Sequence, residues 1–257
     1  MQKDRPVLNA ERRGRILEAL SRDQRVLASE LATHFGVSED TIRRDLRELA
    51  EEGLLRRVYG GAVPKSPTSP IYAKRRNESP TAKAAIARAA VKLFRDGQVA
   101  FFDAGTSAAE VASHLPLDLK LTVVTNSLPV ASVLADHPSS RVVMLGGTVL
   151  REMLATVGAE AVEGYRRVRA DVCVLGVASL HPEVGVGVYF HEDAEVKRAM
   201  VASAAEVIAV AASDKLGTSA PFVVGPLSIV DRLITDAGVS EEAAKVYTDA
   251  GIEVVRA

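Results

Sequence analysis

From residue 99 onward the sequence repeats one pattern: a short apolar run rich in β-branched residues, then a stretch of helical periodicity. That alternation narrows the possible folds more than any other feature of the chain. The runs are Val99-Ala100-Phe101-Phe102, Leu121-Thr122-Val123-Val124, Arg141-Val142-Val143-Met144-Leu145, Val172-Cys173-Val174-Leu175, Val207-Ile208-Ala209-Val210, Leu233-Ile234 and Glu253-Val254-Val255. Helical patterns over 83–94, 108–115, 129–135, 159–168, 193–205 and 241–250 separate most of them. Continuous apolar strands need cover on both faces, and strands joined through helices run parallel. The prediction is an α/β domain over residues 81–257 with a largely parallel sheet. Such sheets take ligands at the carboxyl ends of their strands, where helix N-termini point.

Those strand ends carry small and polar residues. The first runs through Asp103, Ala104, Gly105, Thr106 and Ser107 straight into a helix, and the second ends in Thr125, Asn126 and Ser127. The third ends in Gly146 and Gly147, and the fifth in Ser213-Asp214-Lys215-Leu216-Gly217. Glycine lets backbone approach a phosphate, and helix-start amides with Thr and Ser hydroxyls donate to it. Lys215, and Lys197 from a neighbouring helix, are candidates to neutralise it. One such cluster makes a turn more readily than a site. Recurrence at successive strand ends points to a small anionic ligand.

Residues 64–80 contain four prolines among serines and charged residues, and read as a linker. Before them lies a small helical domain, residues 1–63. Ile16, Leu17 and Leu20 mark a first helix and Leu31, Ala32 and Phe35 a second. Gly36 ends the second, and Ser38 is a suitable N-cap for a third, with Glu39 and Asp40 at its positive dipole end. Ile42, Leu46 and Leu49 form the buried stripe of that third helix, leaving Thr41, Arg43, Arg44 and Arg47 on other faces. Two helices about a short glycine-containing turn form a helix-turn-helix, whose second helix enters the DNA major groove. A hairpin follows: Leu54–Val58, a turn at Tyr59-Gly60-Gly61, and Ala62-Val63. It would be a wing, with Arg56 and Arg57 beside phosphates. Residues 1–76 carry 16 Lys+Arg against 11 Asp+Glu and the remainder 16 against 22, so the positive surplus sits in the part expected to meet a polyanion.

The strings Ser29-Glu30-Leu31-Ala32, Thr41-Ile42-Arg43-Arg44-Asp45-Leu46 and Leu55-Arg56-Arg57-Val58-Tyr59-Gly60-Gly61-Ala62 resemble the winged helix of the DeoR/GlpR family of bacterial regulators. Asp103-Ala-Gly-Thr-Ser, Thr125-Asn-Ser-Leu, Leu145-Gly-Gly, Gly158, Val196-Lys197-Arg198-Ala199-Met200, Asp214-Lys215-Leu-Gly and Thr235-Asp236 resemble that family's sensor domain, in the family's order. The resemblance implies a body similar to ribose-5-phosphate isomerase and a double-stranded DNA operator as partner. It also implies a phosphorylated sugar or polyol as effector, repression relieved by that effector, and a homo-oligomer, dimer or tetramer. The DNA-binding set it completes is Ser38, Thr41, Arg43, Arg44, Arg47, Arg56, Arg57, Gly60 and Gly61. Two positions depart from the pattern: Tyr59 stands where histidine is frequent, and Ala178-Ser179 stands where Asp-Gly is frequent.

No catalytic residue, cofactor or metal is expected. His34, His114, His137, His181 and His191 show no paired ligand spacing, and Cys173 is the only cysteine. Met1-Gln2-Lys3-Asp4-Arg5-Pro6 precedes charged sequence rather than an apolar signal core, and no run of apolar residues is long enough to span a bilayer. The expected location is the cytoplasm. Two rival readings are a sugar-phosphate isomerase using Asp103 or Asp214 as base, and a sequence-indifferent nucleoid-type DNA binder.

Overall fold

The structure, a computed structural model, describes residues 9–257; the N-terminal Met1–Pro6 stretch read for an export signal lies outside the described residues. The chain divides into two compact units. One runs through Ser66 and includes Gly217–Ala220; the other comprises Pro67–Leu216 and Pro221–Ala257.

The first unit contains α1 (Asn9–Asp23), β1 (Val26–Leu27), α2 (Ala28–Phe35), α3 (Glu39–Glu51), β2 (Arg56–Val58) and β3 (Gly61–Val63). Gly36 ends α2 at φ 62°, in the left-handed region, and the Ser38 side chain accepts from the Thr41 amide at 3.3 Å to cap α3. The helices close on Ile16, Leu20, Leu31, Ile42, Leu46 and Leu49. β1, β3 and β2 form a small antiparallel sheet in that order. Its closeness depends on Gly61, because a Cβ there would lie 1.9 Å from the Val26 carbonyl oxygen. One core position on α1 is charged. Arg12 shares the buried face with Ile16 and Leu20, and its guanidinium grips the fully buried Asp45 of α3 at 2.6 Å and 3.1 Å. A buried arginine in an apolar stripe requires such a partner.

The second unit opens with α4 (Tyr72–Arg75) and α5 (Pro80–Ala90). The sequence predicts residues 64–80 as a linker or extended connector. From Pro67 the segment is instead packed into this unit: Thr68, Tyr72 and Arg75 are buried, and the Tyr72 amide donates to Glu152 O at 2.6 Å. Next come β4 (Val99–Phe102), α6 (Thr106–Ser113), β5 (Thr122–Thr125), α7 (Leu128–Leu134), β6 (Arg141–Met144), β7 (Thr148–Leu150) and β8 (Ala155–Val157). They are followed by α8 (Ala159–Arg166), β9 (Ala170–Gly176), β10 (Ser179–His181), β11 (Gly185–Val188), α9 (His191–Ala202) and β12 (Ala204–Val210). The chain ends with β13 (Phe222–Gly225), β14 (Arg232–Thr235), α10 (Glu241–Asp249) and β15 (Glu253–Arg256).

Seven strands make one wholly parallel sheet in the order β15-β14-β12-β9-β4-β5-β6. Alternate residues face opposite ways. Phe101, Cys173, Leu175 and Ala209 pack with α8 and α9 on one side, while Ala100, Phe102, Val174 and Ile208 pack with α5 and α6 on the other. This two-sided burial is the reason the strands read as unbroken apolar runs. From β4 the chain winds outward to β6, returns, and winds outward the other way from β9. The strand order therefore reverses between β4 and β9, and connections there leave in opposite directions and open a crevice. The hairpin β7–β8 and the antiparallel sheet β10-β11-β13 are additions with no counterpart among the predicted strands.

The Arg12–Asp45 pair yields a stability prediction. Removing one partner of a buried ion pair costs about 3–5 kcal/mol, because the other charge is stranded. Asp45→Ala should be cleaved within residues 9–66 at temperatures where the wild type resists protease, with residues 81–257 surviving intact. Equal resistance of the two proteins would show the pair to be dispensable.

Candidate functional site

Two groupings of polar residues present themselves, one in each unit. In the first, α3 buries Ile42, Asp45, Leu46 and Leu49, so helical geometry turns Arg43, Arg44 and Arg47 outward. Arg43 is held along its own helix by Glu39 at 2.8 Å and Asp40 at 3.7 Å. Ser38 and Thr41 engage each other, hydroxyl to hydroxyl, at 2.9 Å. The hairpin β2–β3 carries Arg57 exposed and Arg56 half-buried, burial pushing the Arg56 guanidinium below its usual pKa. At the tip Tyr59 is completely exposed, beside Gly60 at φ 77°. Gly60 and Gly61 serve the backbone: the Gly60 carbonyl accepts from the Ala28 amide at 2.8 Å, and Gly61 admits β1. A row of guanidinium groups on an exposed helix with an arginine-bearing hairpin suits phosphates and guanine edges.

The second grouping lies at the crevice between β4 and β9. It is a small crevice open to solvent, and its walls include Arg75, Gly105, Thr106, Ser107, Lys197 and Lys215. Apolar surface comes from Met153, Val188 and Phe190. Asp103, directly after β4, is fully buried. It accepts from the Gly176 amide at 2.7 Å and from Lys197 Nζ, which also lies 3.4 Å from Asp193. A Cβ at Gly176 would come 2.9 Å from the Asp103 carboxylate, so a larger residue there would have to shift it. Burial raises the Asp193 carboxyl, and burial acting alone would lower Lys197, yet Asp103 and Asp193 together hold that ammonium above its usual pKa. Lys197 is thus already neutralised by two carboxylates.

The positive character of the pocket comes from two other residues. Burial, then the neighbouring Arg75 charge, brings Lys215 down to about 8. Its Nζ donates to the Val177 carbonyl at 2.9 Å. Burial likewise lowers Arg75, whose Nη1 donates to Pro70 O at 3.2 Å. In the same wall α6 begins after Gly105 with no side-chain cap, leaving first-turn amides available to an anion. The buried Ser107 hydroxyl has no hydrogen-bond partner among the described residues.

Among the residues nominated from sequence, the pocket gathers Gly105, Thr106, Ser107, Lys197 and Lys215, with Asp103 anchoring Lys197 behind it. The others do not line it. Thr125 donates to Phe102 O at 2.7 Å, Asn126 bridges Thr156 O and the Tyr165 hydroxyl, and Ser127 caps α7. These three tie buried strand ends together. Gly147, at φ 135°, allows a close approach to Val157 O, Gly146 sits in the same loop, and Asp214 lies outside the wall. Sequence reasoning missed Arg75, Tyr189 and Asp193. Asp193 had a signal, standing one helical turn before Lys197. Arg75 had none, because Lys74-Arg75-Arg76 looks like solvated linker charge.

Residues 12–68 match a family described as the DeoR-like helix-turn-helix domain, and residues 78–237 match the DeoR C terminal sensor domain. The HTH-type transcriptional regulator GlpR of Haloferax volcanii is 37% identical over 97% of this chain and 98% of its own length. The glycerol-3-phosphate regulon repressor of Escherichia coli is 31% identical over 95% of this chain and 97% of its own. A solved ribose 5-phosphate isomerase from Methanocaldococcus jannaschii overlaps at a TM-score of 0.38 and 17% identity, covering 52% of this chain and 53% of that one.

The arginines on α3 differ in readiness. Arg44 and Arg47 have no ion-pair partner among the described residues, whereas Arg43 must first leave Glu39 and Asp40. Truncating a side chain that grips a phosphate weakens duplex affinity and flattens its salt dependence by about one unit of slope. Arg44→Ala and Arg47→Ala are each expected to do this, and Arg43→Ala to do it less, in fluorescence-anisotropy titrations at several salt concentrations. Three unchanged slopes would remove α3 from the interface.

Proposed function

Because the chain belongs to the DeoR family of transcription regulators, matched in both its helix-turn-helix and its sensor domain, we propose that it represses a carbohydrate-metabolism operon and is released by a phosphorylated sugar or polyol. The supporting observation is that Arg75, Lys215, the uncapped start of α6 and the unpartnered Ser107 hydroxyl line one pocket. Burial lowers both cations, and the Arg75 charge lowers Lys215 further, so a bound dianion would stabilise the charged form of each. The nominated DNA-binding residues on α3 and the hairpin are the operator reader in this proposal, and the cytoplasm is the location proposed with it.

The protein is a regulator rather than an enzyme. Its relatives are named as regulators and repressors. Position 178, on the pocket wall, carries only the methyl of Ala178. We extend the proposal to a homodimer or tetramer. Leu128, Val133, Met144, Val149 and Leu154 are large, apolar and exposed on α7, the edge strand β6 and the β7–β8 region, the kind of surface a second copy covers.

A thermal-shift screen with phosphorylated sugars and polyols tests the reading, since a ligand that binds the folded state raises its apparent stability. Stabilisation by a phosphorylated compound, absent with its unphosphorylated parent, is the expected result; turnover of the compound would defeat it.

The Lys215 ammonium adds a pH signature. Its pKa near 8 in the free protein rises when a dianion binds, so binding takes up a proton above that pH. Affinity should hold from about pH 7 to about pH 8 and then fall by up to about tenfold per unit. Calorimetric titration measures this, and Lys215→Met should bind weakly with the high-pH fall abolished. A wild-type profile flat to about pH 9.5 would exclude Lys215 from the site.

A further inference from the structure

The chain passes between its two units at Ser66–Pro67, at Leu216–Gly217 and again at Ala220–Pro221. Residues 217–220 are integral to the unit that carries α3. Ser219 pairs with residues 64–66: the Ser66 amide donates to Ser219 O at 3.0 Å, and the Ser219 amide to Pro64 O at 2.9 Å. Gly217 sits so close to Gln24 that a Cβ would lie 2.4 Å from its side-chain oxygen.

Arg75 and Lys215, the two pocket cations other than Lys197, stand on the segments that lead into these passages. Lys215 comes two positions before Gly217, and Arg75 belongs to the segment that begins at Pro67. That segment is fastened to the pocket along its length. The hydroxyl of Tyr189, a wall residue, donates to Thr68 O. The Tyr72 amide is bonded to Glu152, next to the wall residue Met153. Lys83 of α5 caps α4 by donating to the Arg75 and Glu78 carbonyls.

Building on the repressor reading above, we propose that the phosphate grip and the allosteric transmission are the same residues. A dianion held by Arg75 and Lys215 acts directly on segments 67–76 and 213–216, which run on covalently into the DNA-binding unit. A ligand shifts an equilibrium only by its difference in affinity for the two states. Placing the two grips on different passages supplies that difference, because a displacement of one passage relative to the other changes the distance between the two charges that hold the phosphate. Tyr189 is a positioning residue in this scheme, fixing Thr68 relative to the pocket wall.

The test measures coupling separately from binding. The full-length protein is titrated with a duplex it has enriched from random-sequence DNA, with and without saturating glycerol 3-phosphate, and the ratio of the two duplex affinities is the coupling factor. For the wild type it is expected on the order of 5–150-fold. Inserting Gly-Gly between Ser66 and Pro67 slackens one passage and touches no wall residue. It should leave ligand affinity and ligand-free duplex affinity nearly unchanged while the coupling factor falls to about 1. The same insertion between the exposed Leu117 and Asp118 should leave the factor at its wild-type value. A coupling factor that survives insertion at Ser66 overturns the proposal and spares the repressor reading. Ligand binding with no effect on duplex affinity in the wild type overturns both. If the insertion abolishes duplex binding, the ratio is read in Tyr189→Phe, where a reduced factor at saturating ligand supports the proposal and an unchanged one overturns it.

Discussion

A carboxylate buried where two strands diverge has to find a positive charge, and much of the ligand site follows from how Asp103 does so. Its partners are the Gly176 amide on the adjoining strand and the Lys197 ammonium on α9. These bonds join β4, β9 and α9 at the point where the winding of the sheet reverses. Asp193, one turn before Lys197, completes a buried group of two carboxylates and one ammonium. With Lys197 spent inside that group, Arg75 and Lys215 are left to give the crevice its positive character. The conspicuous lysine of the sensor sequence is therefore an internal tie within the pocket wall.

The smaller unit uses the same logic once more. Arg12 occupies a core position of α1 and is satisfied by Asp45 of α3, so the helix bearing the outward arginines is pinned by an ion pair on its opposite face. That division of labour explains the composition of the Thr-Ile-Arg-Arg-Asp-Leu string. Ile42, Asp45 and Leu46 face inward to fix the helix, while Arg43 and Arg44 face outward. A buried pair of this kind adds little net stability over an apolar one but tolerates no single replacement, so it ties orientation to one specific partner rather than to bulk burial.

Charge distribution links the two units to their ligands. The positive surplus of residues 1–76 includes Arg44, Arg47 and Arg57 on exposed surface, and also Arg75, which sits in the sensor pocket. A count along the sequence cannot separate an arginine on an exposed helix face from one in a pocket wall. Burial separates them: Arg75 is nearly inaccessible and held by main-chain carbonyls, while the α3 arginines project into solvent.

What the sequence determined by itself is what short-range physics dictates. Apolar runs of strand length alternating with helical periods produced the parallel sheet. Gly36 and Ser38 set the turn and the cap, and Gly105-Thr106-Ser107 set a helix start suited to an anion. Tertiary structure alone decided which strand ends share a crevice. Asp103 meets Gly176 across 73 residues and Lys197 across 94, and no local pattern encodes the strand order that brings them together. For that reason Thr125, Asn126 and Ser127 looked equal to Thr106 and Ser107 in the sequence but became internal ties, one strand away from the reversal. Arg75 had the appearance of linker and became pocket wall, because the proline-rich segment around it is fixed by hydrogen bonds to residues far along the chain.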